Sequence, residues 1–459
     1  MDYSNDLCED FARFASETRY SRLPEAAVEA ARKSVLDTLG VILAASGLEP
    51  AVRPFVELAL EAGGKPESTL LGFGERLPAG AAALVNGAMA HCLDFDDRTE
   101  WGAHSGSSMI PALLALAERE GGISGQRLIE AVAVGQDLFI RLRCNVGWEH
   151  DWNLSTVLGP LSAAAAASRL LDLSSEQTAN AMAIASLQSG GTMQLIYGAM
   201  HLRGMYAGIT ASAAVHAALL ARKGLSGIDG LLEGRAGLLN VYFRGKYERE
   251  KMLAGLGKDY LGATMLYKPW PLVGVAHTYI HATIELMKEH GLGPNDIERI
   301  HVFIGDFQRQ MCSPLERRRA PQTALDAKFS LPFCVALAAV HGRIRVRDFS
   351  PDALGDTRVL DMAARVEPVE DSAAEWTTKS PEGRVAVITR DGRTFERRGT
   401  DIPGSPEAPM TWSDLRRKFG DCAGAAAVPI PARRIEAAAD LVERLEASRD
   451  VADVVKALV

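Results

Sequence analysis

The chain has 459 residues, 47% hydrophobic and 24% charged, with a formal net charge of −8. That length and apolar content allow two or three domains with sizeable cores, and the acidic balance excludes the basic footprint of a nucleic-acid binder. Six scattered cysteines (Cys8, Cys92, Cys144, Cys312, Cys334, Cys422) form no CxxC pair, so the simplest expectation is reduced thiols in a cytoplasmic protein, with neither a disulfide framework nor a zinc knuckle. The N-terminal "MDYSNDLCEDFARFASE" is acidic and lacks the apolar core of a secretory signal. In "AVEAARKSVLDTLGVILAASG", apolar residues recur at Val28, Ala31, Val35, Leu39 and Ile42, which predicts a helix with Gly47 as its stop. "LPAGAAALVNGAMAHCLD" and the small-residue run "GPLSAAAAASRLL" continue the helical theme. Ser174 with Gln177 predicts a capping box, and a further helix is expected to end at Gly224. The longest run without a formal charge, Gln177 to Leu202, contains Gln, Asn, Ser and a Gly pair, so no membrane span is expected.

The pattern changes near Lys268. "IERIHVFIGDF" alternates apolar and polar residues and predicts a strand. "GRVAVITRDGRTFERRG" holds two alternating runs around Asp391-Gly392, a hairpin signature. Between them "TALDAKFSLPFCVALAAVHG" reads as a buried helix, and after Pro409 the pattern is helical again. There is no internal repeat. The expected fold is mainly α: a large all-helical domain over 1–267, a smaller α+β lid over 268–403, and C-terminal helices over 404–459 that return to the helical domain.

Four acids and one histidine fall within "CLDFDDRTEWGAH", Cys92 to His104. Asp96 to Glu100 fits DDxxE, the aspartate-rich pattern with which helical terpenoid synthases hold Mg²⁺ and a diphosphate. Such a site needs a second acidic motif, which "NDIERI" at Asn295 does not complete, and an aromatic cavity, whereas aromatics make up only 6% of the chain. The bland alternative is a solvated acidic helix end, and Asp96 is expected to be exposed.

The wider context resembles a known family. "NGAMAHCLDFDD" followed by a histidine and "MIPALLALAE", "VLGPLSAAAAASRLLDLSSEQTANAMAIA", "YKPWP" and "ALDAKFSLPFCVALAAVHG" are similar, in order, to segments of the MmgE/PrpD family. That family includes 2-methylcitrate dehydratase, cis-aconitate decarboxylase and iminodisuccinate epimerase. The resemblance implies a mostly helical domain with an α+β lid, a homodimer, no metal or organic cofactor, and a small di- or tricarboxylic acid as substrate. It also implies the site. Asp94 would orient a cation or the acid/base histidine, with Asp97 as a second orienter beside the substrate. His104 would be the general acid/base, since imidazole titrates near neutrality. Lys268 would bind a substrate carboxylate at the domain boundary, and His277 would lie nearby.

Several positions depart from the family pattern. Asn153 stands where relatives carry a histidine, and asparagine cannot transfer a proton at neutral pH. Arg203 stands for a lysine, Tyr206 for a histidine and Arg98 for a threonine. Anion binding is therefore expected to persist while the proton-transfer set is altered. The first expectation is a cofactor-free lyase of dehydratase or decarboxylase type. The alternatives are an epimerase or isomerase of a dicarboxylate, with Tyr206 and His104 as two bases, and a non-catalytic binding homologue.

Overall fold

The structure is a computed structural model that describes residues 5–198, 202–376, 382–405 and 407–459. The chain divides into two compact units. One comprises Met1–Thr99, Ala103–Tyr267 and Thr411–Val459; the other comprises Glu100–Gly102 and Lys268–Met410.

The first unit is built from helices, and apart from a two-residue ladder between β1 (Ser68–Thr69) and β2 (Arg76–Leu77) it contains no sheet among the described residues. Its centre is formed by Ala79–Cys92, Gly106–Glu120, Gly125–Cys144, Leu154–Leu170 and Tyr206–Arg222. Small side chains let these helices approach closely. A Cβ on Gly208 would lie 2.1 Å from the Leu84 carbonyl oxygen, and one on Gly87 would lie 2.7 Å from the Gly208 Cα. This contact sets the end of Ala79–Cys92, which carries His91, against the start of Tyr206–Arg222.

The long helix Glu25–Leu48 runs one residue past the expected stop at Gly47. Gly47 is needed for a different reason: its missing side chain makes room for the Ala425 carbonyl, 2.1 Å from where a Cβ would stand. Gly40 similarly faces Phe419. The return of the chain therefore lays Trp412–Ala423 along this helix. The capping box at Ser174 and Gln177 is present. Tyr206–Arg222 ends two residues before Gly224, whose φ is +92°. No single helix among the described residues is long and apolar enough to cross a membrane.

The second unit is α+β. Its sheet has the order β4-β3-β5-β6, with β3 Ile297–Ile304, β4 Val366–Glu370, β5 Arg384–Thr389 and β6 Thr394–Arg398. β3 pairs in parallel with β4 and antiparallel with β5, and the β5–β6 hairpin turns at Asp391-Gly392, where Gly392 has φ +84°. Ala276–Glu289 and Leu331–His341 share one apolar core with these strands. The expected single helix over "TALDAKFSLPFCVALAAVHG" is two, Ala324–Lys328 and Leu331–His341. The break has a local cause: the Ser330 hydroxyl caps the second helix at the Phe333 amide, and Pro332 fits only a first turn.

Candidate active site

Ala79–Cys92 ends at the acidic cluster, and the chain then crosses a non-helical stretch before Gly106–Glu120 begins. Asp96 to Glu100 thus do not lie on a helix, which is what sets the acids of a DDxxE metal motif a turn apart. Nor is Asp96 exposed, as the sequence suggested: it is fully buried. Its carboxylate is shared by two imidazoles. His91 Nδ1 lies 3.0 Å from both oxygens, and His104 Nδ1 lies 3.1 Å from Oδ2. Burial alone would raise the Asp96 pKa, but His104 and His91 outweigh it and hold the carboxyl well below the usual carboxylate range. Asp96 is therefore the anion at the centre of the site.

His104 Nδ1 also lies 2.8 Å from the Asp97 main-chain oxygen. A carbonyl oxygen only accepts, so Nδ1 carries the proton and the lone pair of the neutral ring is on Nε2. The His104 amide donates to the Ser155 hydroxyl at 3.1 Å. His104 keeps some solvent access, with a side chain 15% exposed, whereas His91 is buried. The two imidazole centroids are 4.6 Å apart, and the buried Tyr206 ring is 4.6 Å from that of His91.

His91, Asp96 and His104 each place one ligand-type atom within 4.8 Å of the others, close enough to hold a cation. The bond from His104 Nδ1–H to the Asp97 carbonyl commits that nitrogen to donation, which fits a hydrogen-bonded base better than a metal ligand. Dialysis against EDTA is accordingly expected to leave turnover unchanged. Loss on chelation, restored by a divalent ion, would reverse this assignment.

Asp97 behaves in the opposite way to its neighbour. It is fully buried, and its Oδ1 accepts the Gly106 amide at 3.1 Å, at the first residue of Gly106–Glu120. Burial, then the nearby Asp37 and Asp96 carboxylates, push its carboxyl up to about 8. A raised carboxyl pKa means that the folded chain keeps a proton that the unfolded chain loses near pH 4. Stability from this group is thus lost as pH rises from about 4 to 8. Asp97→Asn has no proton to hold, so its unfolding free energy relative to the parent is expected to rise across that window in urea titrations. A constant difference would mean that Asp97 is ionised throughout.

The remaining expected site residues are placed as follows. Asp94 stands just past the helix end with φ +52°, its amide donating to the His91 carbonyl at 2.8 Å. Arg98 is half-buried; its main chain pairs with Leu266 and its guanidinium donates to the Thr99 carbonyl. Asn153 caps Leu154–Leu170, its side-chain oxygen accepting from the Thr156 amide at 3.3 Å. Asparagine is a favoured capping residue, and Ser155, which holds His104, is two residues on. The Arg203 side chain lies outside the described residues, and its backbone is in the short turn Leu202–Gly204. Lys268 and His277 belong to the second unit and are buried there; His277 Nε2 donates to the Leu272 carbonyl at 3.2 Å, and its ring is 5.4 Å from Trp270.

Within the first unit, His104, Asp97 and Tyr206 are thus gathered around His91, which the sequence pattern does not single out, and Asp96, which it places in solvent. The signal was present: His91 precedes Asp96 by five residues across a helix end. It resembled the polar side of a packed helix, where a histidine is usually structural.

Comparison with known proteins now bears on this site. Residues 9–250 match the model of the MmgE/PrpD N-terminal domain, and residues 270–444 that of the C-terminal domain. The chain is 27% identical to a cis-aconitate decarboxylase-like protein, oryM, of Aspergillus oryzae, over 97% of this chain and 95% of the relative. It is 26% identical to the cis-aconitate decarboxylase of Aspergillus terreus, over 98% and 95%. It is 25% identical to the mitochondrial 2-methylcitrate dehydratase of Yarrowia lipolytica, over 82% and 76%. With both domain models matched in order along one chain, this protein belongs to the MmgE/PrpD family.

Proposed function

We propose that the protein is a lyase, of dehydratase or decarboxylase type, acting on a small di- or tricarboxylic acid. The observation that carries this reading is the pair of imidazoles on one buried carboxylate, with His104 Nδ1 committed as a donor and Nε2 left as the base. The names of the relatives, decarboxylase and dehydratase, supply the substrate class.

The chemistry follows from charge. His104 Nε2 removes a proton from carbon beside a carboxylate, and the electron pair moves toward that carboxylate. In a dehydration the pair then expels a hydroxyl, which takes a proton and leaves as water. A decarboxylation needs no prior proton removal: the carbon–carboxylate pair stays on carbon as CO₂ departs, and His104, starting as the imidazolium, gives its Nε2 proton to that carbon and is reprotonated from solvent. Either way Asp96 stabilises the imidazolium. Lys268, Arg203 and Arg98 are proposed to hold substrate carboxylates, with Asp94 and Asn153 as polar neighbours and His277 as a further substrate contact. A homodimer is part of the same reading and is tested by light scattering.

A second reading, epimerisation or isomerisation of a dicarboxylate, is favoured by one observation: the Tyr206 ring lies 4.6 Å from His91, adding a second proton carrier. A panel of di- and tricarboxylic acids followed by NMR in D₂O separates the readings. Release of water or CO₂ supports the lyase. Deuterium uptake at carbon with inversion supports the epimerase. Binding without exchange by any acid would overturn both. Lys268→Ala is expected to weaken substrate binding by roughly 1.5–3 kcal/mol, the value of a charge-assisted bond, and to change turnover less.

A further inference from the structure

Three carboxyl groups crowd the segment that carries the site. Asp96 answers two imidazoles and Asp97 takes the Gly106 amide, but the third, Asp37 of Glu25–Leu48, has no part in the chemistry above. It is buried and lies 2.6 Å from Lys418 Nζ, with side-chain exposures of 0% and 4%. Lys418 comes from Trp412–Ala423, more than 300 residues further along. A buried ion pair is weak evidence of stabilisation, because apolar residues of the same size often serve as well. Lys418 makes one contact that an apolar residue could not replace. Its Nζ donates to the Phe95 main-chain oxygen at 2.7 Å and lies 3.7 Å from the centre of the Phe95 ring.

Phe95 immediately precedes Asp96 and Asp97, in a stretch with no helix or strand to hold its main chain. A buried carbonyl there must find its donor elsewhere. The next two residues supply both acceptors of His104 Nδ1–H, the Asp96 carboxylate and the Asp97 carbonyl. We propose that Lys418 is a positioning residue for the His104–Asp96 base, tethering the Phe95 carbonyl while Asp37 balances its charge. This explains in chemical terms why the chain returns to the helical unit at its end: the returning helix completes the support of the site. Asp97 fits the scheme, since a carboxyl that keeps its proton to about pH 8 leaves the lysine charge to Asp37. The inference rests on the functional reading above, and its test has a readout that needs no substrate.

The test uses the full-length chain with ¹⁵N-labelled histidine and compares Lys418→Met, Lys418→Arg and the neutral double variant Asp37→Asn/Lys418→Met. The double variant removes the buried charges together and is expected to keep a melting temperature close to that of the parent. Its His104 ring signals are nonetheless expected to shift, and its turnover to fall roughly 10–10²-fold with little change in KM, the size of effect that a small misplacement produces. Lys418→Arg can keep both contacts and should retain the parental signals. Parental His104 signals in the double variant would overturn the proposal, as would a double variant that fails to fold, because the pair would then serve stability alone. If no acid is turned over by the parent, the lyase reading fails, while the His104 signals still decide the tether.

Discussion

Replacing His104 by Gln is expected to lower turnover by roughly 10²–10⁴-fold, the range for loss of a general acid/base. Glutamine suits the test because its amide N–H can still donate to the Asp97 carbonyl, which His104 Nδ1 now meets at 2.8 Å. The local frame is then kept and only the proton carrier is lost. KM should change little, because no charge that binds a carboxylate is removed. Steady-state kinetics on an acid that the parent converts checks this, with deuterium exchange at carbon as an independent measure of proton removal. Unchanged exchange in the variant would move the base elsewhere, and Tyr206, whose ring lies beside that of His91, is the next candidate.

Much of the fold is legible in the sequence where one periodicity dominates. The alternation in "IERIHVFIGDF" and the Asp391-Gly392 turn correspond to β3 and the β5–β6 hairpin. β4 was not legible: "VEPVE" carries a proline and two glutamates and shows no clean alternation. It is an edge strand, where proline is tolerated and side chains need not all be apolar. Gly47 looks like a helix stop because local rules see only φ and propensity, whereas its cause is the approach of Ala425, nearly 380 residues away. The site follows the same division. His104 was found through its place in a motif. Asp96 looks exposed because a run of acids looks solvated when read locally, and its burial depends on two histidines that lie five residues before it and eight after it. Asp37 and Lys418 sit in separate helices, where each alone looks like an ordinary helical charge; only their pairing marks them as buried.

Asp96→Asn is expected to have the second large effect, and one that separates its two neighbouring carboxyls. The variant loses the anion that stabilises a protonated His104, and it presents an amide to two Nδ1–H donors, so one ring must rotate or change tautomer. Turnover should fall by roughly 10²-fold or more. Without the adjacent negative charge the catalytic imidazole is less basic, so the acid limb of the turnover profile should move to lower pH. Stability supplies the independent check. The Asp96 pKa is depressed in the folded chain, so its contribution is present above the unfolded value near pH 4 and is lost as pH falls through the lower folded value. Asp96→Asn should therefore be less stable than the parent at neutral pH, with the gap closing in acid. Asp97→Asn should do the reverse, gaining on the parent as pH rises toward 8, because that carboxyl is raised. Urea titrations of the two variants at a series of pH values should thus diverge with opposite sign from adjacent positions. Parallel curves would mean that the two aspartates share one protonation state, and the assignment of Asp96 as the anion of the site would fall.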